Sequence, residues 1–167
     1  AFLLYVALQP SSYRIERSVR VAAPPAVAFA EVNDLRRWQA WSAWVRPDNE
    51  ALAEFSRRAE GEGATFSWDG NREVGAGVMR IVESRPHEVI RLQITFERPQ
   101  PRQNEVLFTF AEDGNGRRIH WIMTGDNDFL SRFMWMFVNV DKLIGREIER
   151  GLVTMKAIAE RRVPGRT

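Results

Sequence analysis

The chain has 167 residues, of which 44% are apolar and 28% charged, so its length and composition are those of one globular domain with a core of its own. Its 24 basic and 22 acidic residues leave a net charge of +2, and the arginines are spread along the chain, unlike the concentrated basic face of a nucleic-acid-binding protein. The absence of cysteine excludes disulfides, thiol catalysis and cysteine-ligated metal sites.

The first eight residues, AFLLYVAL, carry no charge and are followed by QPSSYR. A helix of eight residues extends only about 12 Å, well short of the roughly 30 Å hydrocarbon core of a membrane. We therefore expect residues 1–10 to be the end of a longer membrane anchor or signal segment, which tethers the protein on a side that the sequence leaves open. The alternatives are that this stretch packs on the domain and that the protein is cytoplasmic.

Two different periodicities follow. In RIERSVRV, residues 14–21, apolar and polar residues alternate, which is typical of a strand with one buried face. Pro25 suits the first position of a helix, and the apolar spacing after it predicts a short helix that ends near Asn33. A second short helical turn is expected over LRRW, residues 35–38. One strand and two short helices thus open the domain.

Six further strands are predicted, because short alternating segments are separated by runs rich in Gly, Asn, Asp and Pro. They lie at about residues 51–58, 63–69, 75–85, 87–97, 103–112 and 117–125. The last three alternate most clearly, with apolar side chains on one face and polar side chains on the other. We therefore expect an antiparallel sheet with one apolar and one hydrated face.

A long amphipathic helix is predicted at the carboxyl end, starting near Asp128. Its apolar residues recur every three or four positions: Phe133, Phe137, Val140, Ile144, Ile148, Leu152 and Met155. Asp126 or Asn127 is expected to cap its start. Gly145 and Gly151 indicate close approach of the sheet or a local bend, since each weakens the helix by about 1 kcal/mol relative to alanine.

These elements form a single domain over residues 11–162, followed by a tail over 163–167. A seven-stranded antiparallel sheet with one apolar face needs a cover, and the long helix is the only large amphipathic element that the sequence offers. The sequence therefore predicts an α+β fold in which a curved seven-stranded sheet wraps around the C-terminal helix, with two short helices after the first strand. Such wrapping leaves space between sheet and helix.

Three stretches carry a likeness to a known family: SSYRIERSVRVAAPPAVAFAEVNDLRRWQAWSAW, GNREVGAGVMRIVES and MFVNVDKLIGREIERGLVTMKAIAE. From about Ser11 to Glu160 the chain resembles the START-like, helix-grip superfamily, also called SRPBCC, and in particular its bacterial polyketide cyclase/dehydrase-like branch. The resemblance implies an internal apolar cavity, which the superfamily uses for lipids, hormones, polyketides and other hydrophobic molecules. Members of the branch often have an apolar segment just before SSYR, which is consistent with an anchor in residues 1–10.

Three of the six tryptophans lie three residues apart, at Trp38, Trp41 and Trp44. Steps of three align on one side of a 3-10 helix, so we expect one aromatic face there. Aromatic side chains commonly line apolar pockets, although the alternative for each indole is simply to fill the core. The predicted lining of the ligand cavity is Trp38, Trp41, Trp44, Phe66, Trp68, Leu92, Ile94, Phe96, Phe108, Phe110, Trp121, Met123, Phe133 and Phe137.

The sequence contains no strong catalytic constellation. With two histidines and no cysteine it offers no histidine-rich metal site, and we expect neither a metal nor another cofactor. His87 falls in a predicted turn and His120 on the polar face of its strand, so both are expected outside the cavity.

Carboxylates are the remaining acid–base candidates. Glu83 is expected on the same face as Met79 and Ile81, where burial would raise its pKa and let it move protons. Asp126 and Asp128, at the mouth of the long helix, and Tyr13 are further candidates. The alternative, which the sequence favours for these carboxylates, is that they cap helices or lie at strand ends. Asp141 is expected instead to face Gly145 or to pair with a nearby arginine.

Three classes of function remain. The first is a non-enzymatic domain that binds or carries a hydrophobic small molecule or lipid between sheet and long helix. The second is a polyketide cyclase/aromatase-type enzyme, which needs a carboxylate or histidine inside the cavity. The third is an interaction module of the cell envelope, which would show an exposed apolar patch rather than an enclosed space. The weak catalytic inventory favours the first, and the oligomeric state is left open.

Overall fold

A computed structural model shows one antiparallel sheet with helices packed on its apolar face. It describes residues 12–45, 52–71, 75–126 and 139–163. In chain order, the elements are β1 (Ser12–Val21), α1 (Pro25–Asn33), a 3-10 helix (Arg37–Ala40), β2 (Leu52–Phe55), β3 (Thr65–Asp69), β4 (Ala76–Arg85), β5 (Val89–Arg98), β6 (Arg102–Asp113), β7 (Gly116–Asp126) and α2 (Val140–Arg161). This confirms the predicted α+β helix-grip architecture.

The seven strands lie in the order β1-β7-β6-β5-β4-β3-β2, and every neighbouring pair is antiparallel. Strands β2 to β7 therefore form a meander through short turns, whereas β1 pairs with the last strand. Each predicted strand overlaps an observed one. The largest difference is at β2, which was expected over residues 51–58 and spans Leu52–Phe55.

The apolar residues predicted for one face of the sheet do share that face, here called the inner face. Residues directly opposite each other on antiparallel strands point to the same side. One such row crosses five strands, and all of its members are buried. The row consists of Ile15, Met123, Val106, Leu92 and Ile81.

The long helix begins later than predicted. α2 starts at Val140, because Asn139 has an extended backbone and caps the helix, its Oδ1 accepting the Lys142 N–H at 2.9 Å. The expected start near Asp128, with a cap at Asp126 or Asn127, is therefore wrong. Residues 127–138 lie outside the described part of the chain. Phe133 and Phe137 of the predicted cavity lining lie there too.

Arg17 of β1 fixes α2 against the inner face. Its guanidinium donates hydrogen bonds to Asp141 Oδ2 at 2.9 Å and to Glu149 Oε1 at 2.7 Å. Asp141, Gly145 and Glu149 are spaced by four residues and so share one helix face. Arg17 lies over Gly145, where a Cβ would overlap the guanidinium. The two expectations for this segment, an arginine partner for Asp141 and close approach of the sheet at Gly145, are both confirmed.

Two further contacts hold the far end of α2 to the end of β1. Lys156 donates to the backbone carbonyl of Arg20 at 3.0 Å, and it also pairs with Glu160. The Glu160 carboxylate in turn accepts the backbone N–H of Ala22 at 2.7 Å. Both ends of the helix are thus tied to the same edge strand.

A buried carboxylate joins α1, the 3-10 helix and the end of α2. Glu31 is fully buried, and its Oε1 lies 2.8 Å from Arg37 Nη1 and 2.9 Å from Arg162 Nη1. Two guanidinium groups offset the cost of burying this charge. Its second oxygen, Oε2, has no hydrogen-bond partner within the described ranges.

The structure describes no residue before Ser12 and none after Val163, so it does not test the predicted anchor in residues 1–10 or the predicted tail over 163–167. They therefore stay predictions. Among the described helices, none combines the length and the apolar character needed to cross a bilayer.

Replacing Gly145 by alanine is expected to lower the free energy of unfolding by about 1–2 kcal/mol, because the new methyl group displaces Arg17 from its two carboxylates. Helix propensity alone predicts the opposite, a gain of about 1 kcal/mol. Urea unfolding of the two single variants and the double variant Arg17→Ala/Gly145→Ala separates these effects. In the Arg17→Ala background the alanine should stabilise; destabilisation there would contradict the proposed contact.

The hydrogen bond from Arg17 lowers the pKa of Asp141 below the ordinary 3.8. The pair of Asp141 with Arg17 therefore contributes stability at neutral pH, and this contribution is lost as the pH falls through the pKa of Asp141 in the folded state. We expect Asp141→Asn to lower the melting temperature at pH 7, and the difference from wild type to shrink as the pH falls below 3.8. Glu147→Gln, which removes the Arg150 pair on the solvent side of α2, is the matched control and should change little. A pH-independent Asp141→Asn effect would refute this assignment.

Candidate functional site

The described inner face has two aromatic regions, and they differ in how completely they are covered. The first, the aromatic cluster, comprises Trp38, Trp41, Trp44, Phe108 and Trp121. The second, the β2–β5 patch, comprises Phe55, Phe66, Trp68, Ile94 and Phe96. The packing of each region decides what it can do.

The aromatic cluster is centred on Trp121 of β7. The ring of Phe108 lies 4.9 Å from it, and the rings of Trp44, Trp38 and Trp41 lie 5.5, 5.8 and 5.9 Å away. All of these side chains are buried except Trp44, which is 46% exposed. The spacing of three residues therefore does bring three indoles to one place.

Trp38 and Trp41 also complete the end of α1. The Trp38 Nε1–H donates to the carbonyl of Val32 at 2.8 Å, and the Trp41 Nε1–H donates to that of Glu31 at 3.1 Å. The carbonyl groups in the last turn of a helix have no N–H partner within that helix, and here the two indole N–H groups serve as those partners. The structure thus gives both tryptophans a packing and capping role, and their contact with a ligand stays a prediction.

Gly151 lets this cluster pack against the long helix. A Cβ at that position would lie 3.3 Å from the Trp41 carbonyl oxygen and 3.8 Å from the Trp121 ring. The close approach that the sequence indicated at Gly151 is confirmed. The Trp121 Nε1–H is buried and has no hydrogen-bond partner within the described ranges.

The β2–β5 patch is continuous but less well covered. Ring centroids are 4.9 Å apart for Phe55–Phe66, 6.0 Å for Phe66–Trp68 and 5.7 Å for Trp68–Phe96. Trp68 lies over Gly77 of β4, where a Cβ would come within 2.7 Å of the indole. Phe66 is buried, whereas the other four members are half-buried. α2 packs mainly against β1 and α1, at the other end of the strand order.

Polar side chains adjoin the patch in the same row as Ile94. Asn104 of β6 is opposite Ile94, Gly125 of β7 is opposite Asn104, and Tyr13 of β1 is opposite Gly125. A Cβ on Gly125 would lie 2.5 Å from Asn104 Oδ1 and 2.7 Å from the Tyr13 ring. Both side chains therefore lean over the glycine. In the next row, the Arg102 guanidinium lies 4.5 Å from the centroid of Phe96.

The Tyr13 hydroxyl is neutral at physiological pH. Burial is the main cause that raises its pKa above the ordinary 10.0; Arg102 acts in the opposite direction, and Asp126 raises it further. A neutral phenol is a hydrogen-bond donor as well as an acceptor. The polar row thus offers hydroxyl and amide groups beside an apolar surface.

Glu83 does not reach this interior, and the expectation that it shares a face with Ile81 is wrong. The register of β4 against β5 shifts at Val82: Ile81 is opposite Leu92, whereas Glu83 is opposite Arg91. Such a β-bulge adds one residue and turns the following side chains to the other face. Glu83 accordingly pairs with Arg91 on the outer face, with 3.1 Å between Oε2 and Nε.

The two histidines and Asp126 are not part of the patch either. His120 is on the outer face, half-buried, with Nδ1 3.5 Å from Glu16 Oε1. His87 is an exposed turn residue with φ of 65°. Asp126 is the exposed last residue of β7. The described residues hold no group of three His, Cys, Asp or Glu side chains arranged to bind a metal.

The predicted cavity lining is divided between the two regions. The buried members are Trp38, Trp41, Phe66, Leu92, Phe108, Phe110, Trp121 and Met123. Trp68, Ile94 and Phe96 are half-buried, and Trp44 is exposed. Sequence reasoning missed Phe55, Asn104 and Arg102. For Asn104 a signal existed, since the alternation through Val106 and Phe108 gives it an inward position.

Comparisons with known proteins agree with this architecture. The model of a family described as "Polyketide cyclase / dehydrase and lipid transport" matches residues 12–160. The search of curated proteins found no match. Among solved structures, the chain is similar to a protein from Chromobacterium violaceum, with 16% identity over 91% of this chain and 99% of that one and a TM-score of 0.61.

Two further structures show the same fold. The Aha1 dimer from Colwellia psychrerythraea is 13% identical, with 93% of this chain and 99% of that one covered and a TM-score of 0.57. The di-domain ARO/CYC StfQ from the steffimycin biosynthetic pathway is 14% identical, with 90% and 51% covered and a TM-score of 0.66. Since the family model spans nearly the whole domain, the chain belongs to the polyketide cyclase / dehydrase and lipid transport family, within the START-like superfamily that its sequence resembles.

Proposed function

We propose that the protein binds or carries a hydrophobic small molecule or lipid on the inner face of the sheet, at the β2–β5 patch. The observation that carries this proposal is the incomplete burial of Phe55, Trp68, Ile94 and Phe96 within one continuous apolar surface. Covering such a surface contributes about 25 cal/mol per Å². An apolar ligand would supply that cover.

The contrast with the aromatic cluster supports this location. There, Trp121 is enclosed by neighbouring rings, and the indole N–H groups of Trp38 and Trp41 are used within the protein. A ligand would have to displace side chains to enter the cluster. Most side chains of the patch are already partly exposed, and ligand pockets are usually largely pre-formed. Of the predicted lining, Trp68, Ile94 and Phe96 are therefore the residues we assign to ligand contact.

The described interior gives less support to a cyclase-type enzyme. Glu83 and His120 face outward, and Arg17 on the inner face is held by Asp141 and Glu149. Near the patch, Tyr13 is the titratable group with a raised pKa, which suits it to hydrogen bonding at neutral pH more than to proton removal. Binding without chemistry is the function that this arrangement supports best.

Native mass spectrometry of the protein purified gently from a cell extract tests the proposal directly. A co-purifying lipid or apolar molecule, identified after denaturation, would support it. A protein that is empty and also fails to bind a library of lipids and aromatic compounds more tightly than about 1 mM would overturn it.

Filling the patch should weaken binding. Ile94→Trp adds bulk to the middle of the patch, so we expect at least a tenfold weaker affinity for the fluorescent probe 1-anilinonaphthalene-8-sulfonate. Thr95→Trp places the same ring on the outer face of β5, where the wild-type residue is exposed, and should leave affinity within about twofold. Fluorescence titration of both variants and wild type makes the comparison, with circular dichroism to establish folding. Equal affinities for all three folded proteins would place the probe elsewhere.

A further inference from the structure

The side of α2 that faces away from the sheet carries positive charge together with exposed apolar side chains. Successive residues of an α-helix are rotated by about 100°, which assigns each position to a face. The buried residues of α2 fall on one side of the helix, and a set of exposed residues falls within about 100° of arc on the other side. This surface, here called the α2 stripe, consists of Lys142, Leu143, Arg146, Arg150, Val153, Ala157 and Arg161.

Most cations of the α2 stripe have no counter-charge. Lys142, Arg146 and Arg161 are exposed, and none of them has a carboxylate partner within 4.0 Å among the described residues. Arg150 pairs with Glu147, with 2.7 Å between Nη1 and Oε1, and its side chain is 75% exposed. Because exposed ion pairs are weak, the stripe presents an excess of positive charge to solvent.

The remaining acidic residues of α2 are turned toward the domain. Asp141 and Glu149 accept hydrogen bonds from Arg17 of β1. Glu160 accepts the backbone N–H of Ala22 at 2.7 Å. The charges of this helix are thus separated by face, with three carboxylates bound to the domain and the unpaired cations outside. A positive excess of this kind attracts an anionic partner.

Two large apolar side chains lie among these cations. Leu143 is 62% exposed and Val153 is 61% exposed. A single exposed apolar residue is ordinary on a protein surface. Two of them on one basic helix face are typical of helices that lie in the interface of an anionic membrane, where cations meet the head groups and apolar side chains enter the acyl boundary. A nucleic acid would offer phosphates to the cations but no apolar layer to the other two residues.

We propose that the α2 stripe docks the protein on the surface of a bilayer that contains anionic phospholipids. Lys142, Arg146 and Arg161 bind the phosphates of the head groups, and Leu143 and Val153 insert between them. From its first to its last cation the stripe extends about 28 Å along the helix axis, so it meets several head groups at once. This inference goes beyond the proposed function and does not depend on it, because the stripe faces away from the sheet that carries the β2–β5 patch.

Vesicle sedimentation with the whole chain tests the proposal. We expect about tenfold or stronger preference for phosphatidylcholine vesicles with about 30% phosphatidylglycerol over pure phosphatidylcholine, because each cation near an anionic surface contributes about fivefold to the affinity. The preference should disappear at about 1 M salt, where the Debye length falls to about 3 Å. Residues 1–8 carry no charge, so the difference between the two kinds of vesicle reports on the cations of the domain.

Neutralising the stripe should remove the preference. The triple variant Lys142→Gln/Arg146→Gln/Arg161→Gln should bind the anionic vesicles about tenfold or more weakly than wild type. All three residues are exposed, so circular dichroism should show a folded protein.

A second triple variant, Arg57→Gln/Arg58→Gln/Arg80→Gln, is the matched control. It removes the same net charge from exposed arginines outside α2 that have no carboxylate partner in the described part of the chain. Charges more than a Debye length from the docked surface are largely screened, so its affinity should stay within about threefold of wild type at about 0.1 M salt.

Insertion of the apolar residues is tested separately. The chain has no cysteine, so Val153→Cys creates a single site for an environment-sensitive fluorophore. Its emission should shift to shorter wavelength when anionic vesicles are added. Leu52→Cys is the control, because Leu52 is 81% exposed on β2, at the opposite end of the strand order from β1, and its label should not shift.

Several results would overturn the proposal. Equal binding to both kinds of vesicle would remove the role of charge, and a stripe variant that binds like wild type would assign docking to another surface. A label at residue 153 that does not respond to vesicles that bind the protein would have the same meaning. A protein that does not bind vesicles but binds a DNA duplex through the same three cations would assign the stripe to nucleic acid.

Discussion

The position of the long helix depends on one guanidinium group. Arg17 extends from the inner face of β1 between two carboxylates of α2, and Gly145 leaves the space that it needs. Charged pairs that are partly exposed add little stability on their own, but a bidentate arrangement with several partners fixes geometry. The Arg17 contacts at one end of α2 and the contacts of Lys156 and Glu160 at the other end tie the helix to β1, an edge strand, and not to the centre of the sheet.

An uneven interior follows from this placement. Where α1, the 3-10 helix and α2 meet β7, the space is filled by Trp121 and its aromatic neighbours, and Gly151 allows the helix to approach them. Toward β2 the aromatic side chains contact each other, but all of them except the buried Phe66 are only half-buried. The tryptophans that first suggest a ligand cavity thus belong largely to the part that holds the fold together. Among the described tryptophans, Trp68 borders the space that we assign to a ligand.

Sequence reasoning succeeded where local rules decide the structure. Alternation and turn residues predicted all seven strands, and the two helix glycines marked the places of close approach. It failed where one residue changes the register: an extra residue at Val82 turned Glu83 outward, and the cap at Asn139 moved the start of α2. Alternation also shows which face a side chain occupies but not how deeply it is covered, so Trp41 and Trp68 could not be told apart in advance.

The separation of the two regions has a consequence for how ligand preference can vary in this fold. The Arg17 contacts, the Glu31 cluster and the capping indoles lie toward β1 and α1, whereas the β2–β5 patch lies at the other end of the strand order. Substitutions at distant sites act nearly independently on stability. Residues of the patch can therefore change in size or polarity without weakening the helix attachment. Under the proposed function, one scaffold can then take different apolar ligands, because a fold alone does not specify a function and the residues of the site do.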